Sequence, residues 1–146
     1  MFELRAANDG DYEFLWNLRR TVMRPYIEAT WGWDEEWQAN YFRDHFAPAA
    51  CQMIQVAGVD VGMLAVEALV ESVFLANIEI IATEQGRGLG TAVIRSLIAD
   101  AARRGLLVTL QVLKVNPARR LYERLGFEFT GETATHFLMT RRVGND

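Results

Sequence analysis

Ile80-Ile81-Ala82-Thr83-Glu84-Gln85-Gly86-Arg87-Gly88-Leu89-Gly90-Thr91 carries three glycines in five residues between two apolar stretches. Before it, Val73–Ala82 is rich in Val, Ile, Leu and Phe and predicts a strand. After it, Leu89, Val93, Leu97 and Ala101 recur every four residues, with Ile94 and Ile98 beside them, and predict a helix ended by Gly105. A glycine-rich strand-to-helix joint lets backbone approach a ligand and exposes N–H groups beside the positive end of a helix dipole. That suits an anion such as a phosphate, and Arg87 adds a cation. Two phosphate motifs fail on inspection. The nucleotide P-loop needs Lys then Ser or Thr after its last glycine, but Gly90 is followed by Thr91-Ala92. The dinucleotide fingerprint needs a sixth-position glycine, and counting from Gly86 that place is Thr91. A plain glycine turn with no ligand is the alternative.

Working outward, Phe2–Ala6 predicts a strand, and Asn8 caps a helix carrying Phe14, Leu15, Leu18 and Val22 on one stripe. Pro25 ends or kinks that helix. The aromatic stretch from Tyr26 to Asp34 has no clean period, and a second helix is expected from about Asp34 to His45. Gln52–Ala57 and Val61–Val70 predict strands joined by a tight turn at Gly58-Val59-Asp60. Downstream, Leu106–Leu113 is a strand apolar enough for burial on both faces. A short helix follows Pro117 and stops at Gly126, and Phe127–Gly131 and Thr135–Arg142 close the chain as strands. No repeat, low-complexity run or linker interrupts the 146 residues, so one domain over 1–146 is expected.

Bulk properties narrow the function. No run approaches the roughly 18–20 apolar residues of a membrane span. Met1-Phe2-Glu3-Leu4-Arg5 lacks the layout of a signal peptide, and Cys51 is the only cysteine. A cytoplasmic protein is expected, with Cys51 as a small buried residue. The net charge of −4 gives no global attraction to nucleic acid. Basic residues nevertheless gather late in the chain (Arg103-Arg104, Lys114, Arg119-Arg120, Arg124, Arg141-Arg142). They form either solvated surface or a wall for a phosphorylated ligand. His45 and His136 have no metal-ligand spacing with Cys51, and no metal is expected.

Gln85-Gly86-Arg87-Gly88-Leu89-Gly90 has the form Gln/Arg-x-x-Gly-x-Gly/Ala, and Leu121-Tyr122-Glu123-Arg124-Leu125-Gly126-Phe127 has the form Leu-Tyr-x-x-x-Gly-Phe. The pair, in this order and at this separation, resembles the two motifs of the GCN5-related N-acetyltransferase (GNAT) superfamily. The element order agrees over nearly the whole chain. The resemblance implies an α/β (α+β) fold: a mixed, mostly antiparallel seven-stranded sheet, flanked by about four helices and splayed between its fourth and fifth strands. It implies acetyl-CoA as co-substrate, with Gln85, Gly86, Arg87, Gly88, Leu89, Gly90 and Thr91 holding the pyrophosphate and Ile80, Ile81 and Ala82 pairing with the pantetheine arm. Tyr122 would touch the cofactor and protonate the departing thiolate; packing in the core is its alternative role. Glu79 is the first candidate for the base that drains the attacking amine, with Glu28 and Glu67 behind it. Gln111 stands where some relatives have a glutamate, and an amide cannot act as a base.

Relatives often carry an asparagine seven residues before the tyrosine. Here Val115 holds that place, so Asn116 either contacts the cofactor or caps the helix starting at Pro117. Arg119 meets cofactor phosphate or solvent. Tyr26, Glu28, Trp31 and Trp33 are expected to bind the acceptor, since aromatics beside carboxylates suit an ammonium ion. The implied activity is acetyl transfer to a primary amine, of a small molecule, by direct attack in a ternary complex. A non-catalytic acyl-CoA-binding or sensor module, or acetylation of a protein N-terminus or lysine, is the alternative. No nucleic-acid or membrane partner is expected, and the chain would act as a monomer or homodimer.

Overall fold

The computed structural model describes residues 1–144. Its strands are β1 (Phe2–Ala6), β2 (Cys51–Val56), β3 (Val59–Ala68), β4 (Ser72–Ile80), β5 (Leu107–Leu113), β6 (Glu128–Glu132) and β7 (His136–Arg141). Its helices are α1 (Tyr12–Val22), α2 (Arg24–Trp31), α3 (Glu35–His45), α4 (Leu89–Arg103) and α5 (Ala118–Arg124). The strands form one mixed seven-stranded sheet in the order β1-β2-β3-β4-β5-β7-β6. The α/β fold class expected from the sequence is therefore present. β4 and β5 pair in parallel. Their ladder matches Ser72–Leu75 with Leu107–Leu110 and ends there, although β4 runs on to Ile80 and β5 to Leu113. Pairing along the fourth and fifth strands is thus partial, as a splay requires. Among the described residues no helix is long and apolar enough to cross a membrane.

The chain folds into two compact units. The first comprises Met1–Ala65 and Asn77–Gln85. Its core is Leu15, Leu18, Ile27, Met53, Ile54, Val61 and Leu64. Asn8 and Asp11 form a capping box on a short 3₁₀ turn before α1. Arg5 then ties that turn to the sheet, reaching Asp11 at 2.7 Å and Asp60 at 3.0 Å. α1 and α3 meet through aromatic edges, Tyr12 on Phe42 at 5.4 Å and Trp16 on Phe42 at 5.5 Å. The β2–β3 turn falls on Ala57 and Gly58 (φ 52° and 78°), one residue earlier than predicted. Two successive left-handed residues match the twist of a hairpin.

Among the described residues there are five α-helices, where about four were expected. Pro25 was expected to end or kink the first helix, and α1 does end at Val22; Pro25 itself lies in the first turn of α2, where its missing N–H costs nothing. Met23 closes α1 and opens α2.

The second unit comprises Val66–Ala76 and the chain from Gly86 onward. Val73, Leu75, Val93, Ile94, Ala101, Val108, Leu110, Val112, Phe127 and Met139 fill its core. Burial on both faces of β5 is corrected: Val108, Leu110 and Val112 are buried, but Leu107 and Thr109 are half-buried and Gln111 is exposed. Arg141 donates to the Leu125 carbonyl at 2.8 Å and fixes the end of α5 against β7.

In the first unit, β3 and β4 approach so closely at Gly62 that a Cβ there would collide with the Glu79 carbonyl oxygen. Backbone cannot swing aside as a flexible side chain would. Gly62→Ala should therefore lower unfolding stability by about 1–3 kcal/mol. Urea denaturation would show this as a lower midpoint with an unchanged m-value.

Candidate active site

The glycine turn begins the second unit. Gly86 and Gly88 have φ of 76° and 83°, a region where only glycine is unstrained. A Cβ built at either would meet no atom within 4 Å, so the turn faces open space. Gly88 is the N-cap of α4 and makes no side-chain cap hydrogen bond. The first intrahelical bond of α4 runs from the Ala92 N–H to the Gly88 carbonyl at 3.0 Å. By helix geometry the N–H groups of Leu89, Gly90 and Thr91 have no intrahelical acceptor. An uncapped, 15-residue helix with glycines at its mouth fits a diphosphate.

Just upstream, in the first unit, β4 stops at Ile80, two residues short of the predicted end. Ala82–Glu84 coils into a 3₁₀ turn instead. The Ile81 N–H donates to Val61 at 2.9 Å, and the Gln85 side chain donates to the Ile80 carbonyl at 2.8 Å. Gln85 thus braces the end of β4.

Tyr122 lies on α5, 9% exposed, with its ring edge-on to Phe127 at 5.8 Å. Burial pushes its phenol up to about 12, so it holds its proton throughout the physiological range. The Asn116 Oδ1 accepts from the Ala118 N–H at 2.9 Å, although the N-cap of α5 is Pro117 and has no side-chain cap. Arg119 lies over the Phe137 ring at 4.8 Å and pairs with Glu123 at 3.5 Å. Much of the late basic cluster is engaged within the protein. Arg103 and Arg104 pair with Asp100, and Lys114 pairs with Glu132 at 2.7 Å.

In the first unit, Glu79 is 3% exposed. Asn77 donates to its Oε2 at 2.7 Å, and Arg19 stands 3.7 Å away. Burial raises the Glu79 carboxyl above its ordinary value, and Asn77 and then Arg19 hold that rise back. A carboxylate with a raised affinity for protons is better matched to base chemistry near neutrality. Glu28 and Glu67, the weaker candidates, are exposed.

Glu79 makes stability depend on pH. Because its folded value lies above the unfolded one, near 4.5, the folded chain keeps a proton that the unfolded chain releases. Stability from this group is full below pH about 4.5 and falls as pH rises through the folded value, by at most about 1.4 kcal/mol per pH unit. Glu79→Gln should remove that slope. Urea midpoints of both proteins between pH 4 and 8 would check it, with the gap moving in the variant's favour as pH rises.

Two cavities open in the first unit. A larger one of about 670 Å³ is lined by Arg19, Ile27, Trp31, Gly32, Trp33, Asp34, Trp37, Gln38 and Tyr41. A smaller one of about 290 Å³ contains Glu79, Asn77 and Cys51 and shares Arg19 and Tyr41 with the first. Of the residues expected to bind acceptor, Trp31 and Trp33 line the larger cavity, while Tyr26 and Glu28 do not. Glu28 instead pairs with Arg24 at 3.6 Å. Arg24 also covers the Trp33 ring at 5.4 Å. Cys51 is half-buried, and burial raises its thiol to about 11, so it is no ready nucleophile.

Gln38 and Tyr41 were not among the residues expected to bind acceptor. The signal was their helical spacing from Trp37 and Phe42, which places polar Gln38 on the inner stripe of α3. Among the described residues no group of three or more His, Cys, Asp or Glu side chains could hold a metal ion.

The family model described as "Acetyltransferase (GNAT) family" matches residues 12–127. No match was found among curated proteins. Solved structures share the fold at low identity. The PaiA N-acetyltransferase from Thermoplasma acidophilum, in complex with coenzyme A, is 13% identical with a TM-score of 0.79, over 97% of this chain and 99% of that one. The ribosomal-protein-S18-alanine N-acetyltransferase from Escherichia coli is 18% identical with a TM-score of 0.69, over 98% and 94%. The spermidine N-acetyltransferase from Vibrio cholerae, in complex with CoA and spermine, is 20% identical with a TM-score of 0.72, over 99% and 96%.

Proposed function

We propose, from the premise that this chain belongs to the acetyltransferase (GNAT) family, that it transfers an acetyl group from acetyl-CoA to the primary amine of a small molecule. The observation that carries the reading is the open, glycine-lined and uncapped start of α4. Gly86 to Thr91 would hold the diphosphate through backbone N–H groups, with Arg87 adding charge. Asn116 keeps an amide nitrogen to offer the same ligand, and Arg119 a cation. Ile80, Ile81 and Ala82 would offer backbone to the pantetheine amides. Acetyl-CoA supplies an activated acyl group as its thioester.

Glu79 takes a proton from the arriving ammonium. The neutral nitrogen then attacks the thioester carbon directly, in a ternary complex. As the N–C bond forms, the C–S bond breaks; Tyr122 hydrogen-bonds or protonates the departing sulfur, and the proton the nitrogen still sheds ends on that sulfur or restores the tyrosine. The coenzyme A complexes of the Thermoplasma and Vibrio proteins support the choice of co-substrate. A cavity of about 670 Å³ is sized for a small molecule, which supports a free amine over a protein chain.

The test is release of free thiol from acetyl-CoA on mixing with a panel of small amines, with calorimetry of coenzyme A in parallel. Saturable binding and amine-dependent thiol release are expected. Binding without release under any amine would leave only a carrier or sensor, and absence of both would end the reading.

A further inference from the structure

Arg19, on α1, lines both cavities of the first unit and is the one arginine or lysine in either lining. Its guanidinium offers five N–H donors. Among the described residues its side chain makes one polar contact, the 3.7 Å approach to the Glu79 Oε2. That distance is an ion pairing but too long for a hydrogen bond. A planar fork of uncommitted donors on a cavity wall fits a carboxylate, which takes two of them side by side.

Glu79 leaves a place for the amine beside it. Asn77 and Arg19 both approach its Oε2, and its Oε1 has no hydrogen-bond partner among the described residues. No side-chain oxygen or nitrogen sealed from solvent lacks a partner, so Oε1 faces an opening. The opening that Glu79 lines is the smaller cavity. Cation and anion thus stand 3.7 Å apart, each with capacity to spare. An α-amino acid holds its ammonium and its carboxylate on one carbon, and its two charges meet this pair with the signs crossed. A polyamine would bring a second cation to Arg19. Asp34, the carboxylate in the larger lining, would attract one weakly. It caps α3, accepting from the Trp37 N–H at 2.9 Å beside the positive end of that helix. Gln38 is a second, independent sign of a ligand. It is 8% exposed and lines the larger cavity, and its side-chain amide has no partner among the described residues. By the same reasoning that amide faces the opening. A buried amide is costly to leave unmatched, so the larger cavity is a place for the rest of a polar ligand.

We infer that the acceptor is a free α-amino acid, with its carboxylate on Arg19 and its amine at the Glu79 Oε1. This rests on the acetyl-transfer reading and names the acceptor class for it. Calorimetry on the whole chain at neutral pH, with coenzyme A present, measures acceptor binding without reaction. The probes are the common L-amino acids, each beside its amide and its decarboxylated amine. The best-bound amino acid should exceed both of its counterparts by about tenfold to a hundredfold, the worth of a hydrogen bond between charged groups. Arg19→Met should bring those ratios to near one, and Arg19→Lys, which keeps the charge and loses the fork, should restore only part of them. A merely structural role for Arg19 would weaken acid, amide and amine alike and leave the ratios unchanged. The wild-type comparison needs no variant, so it decides even where Arg19→Met does not fold. No amino acid binding more tightly than its amide and amine, or ratios that survive in folded Arg19→Met, would overturn the inference. Failure of the underlying reading looks different: the preference for the carboxylate holds, but no amino acid releases thiol from acetyl-CoA.

Discussion

Tyr122→Phe should lower kcat by about 10²- to 10³-fold while leaving KM for acetyl-CoA nearly unchanged, the loss typical of one donor aimed at developing charge. Burial sets this scale. With its phenol raised to about 12, Tyr122 stays protonated and is always ready to donate. The same burial weakens it as an acid. A thiolate near 8.5 does not readily take a proton from such a phenol. Most of the benefit therefore comes from a hydrogen bond to sulfur as charge builds, and the effect should fall below the largest seen for general acids. The ring still packs on Phe127 in the variant, so melting should move little. Steady-state kinetics with a thermal scan checks both halves. An unchanged kcat would return Tyr122 to the core-packing role.

Gly88→Val should weaken coenzyme A binding by about 10²- to 10⁴-fold, the equivalent of two lost hydrogen bonds to a charged group. Gly88 holds φ of 83° at the mouth of α4, and a β-branched residue there is an outlier. The turn must re-form, and its N–H groups then no longer converge. A Cβ at 88 would meet no atom within 4 Å, so crowding at that carbon does not explain a loss of binding. Calorimetry with coenzyme A measures the main effect. A short thioester without the diphosphate, S-acetyl-N-acetylcysteamine, serves as control and should be used equally well by both proteins.

What could be read in advance divides along physical lines. The glycine turn was legible because residues that tolerate positive φ are few, and Gly86 and Gly88 both adopt it. The cap at Asn8 was legible because a short polar side chain before an apolar stripe has few other uses. α2 was missed because Pro25 suits either a stop or a first turn, and local sequence does not choose between them. The burial of Glu79 was harder. It shares the strand face of Val73 and Leu75, but a carboxylate on that face contradicts the usual pattern and becomes credible only with Asn77 and Arg19 beside it. Gln38 was hidden for the same reason: a polar residue on an inner helical stripe looks like noise until a cavity opens in front of it.

The close approach at Gly62 carries a consequence for evolution. The backbone that forbids a methyl group there belongs to Glu79, so one mutational step on a neighbouring strand would tilt the carboxylate as it loosened the fold. Selection for thermal robustness alone would then keep the proposed base aligned, even in a lineage where nobody was assaying turnover. Position 62 should stay invariant in a library screened only for soluble expression.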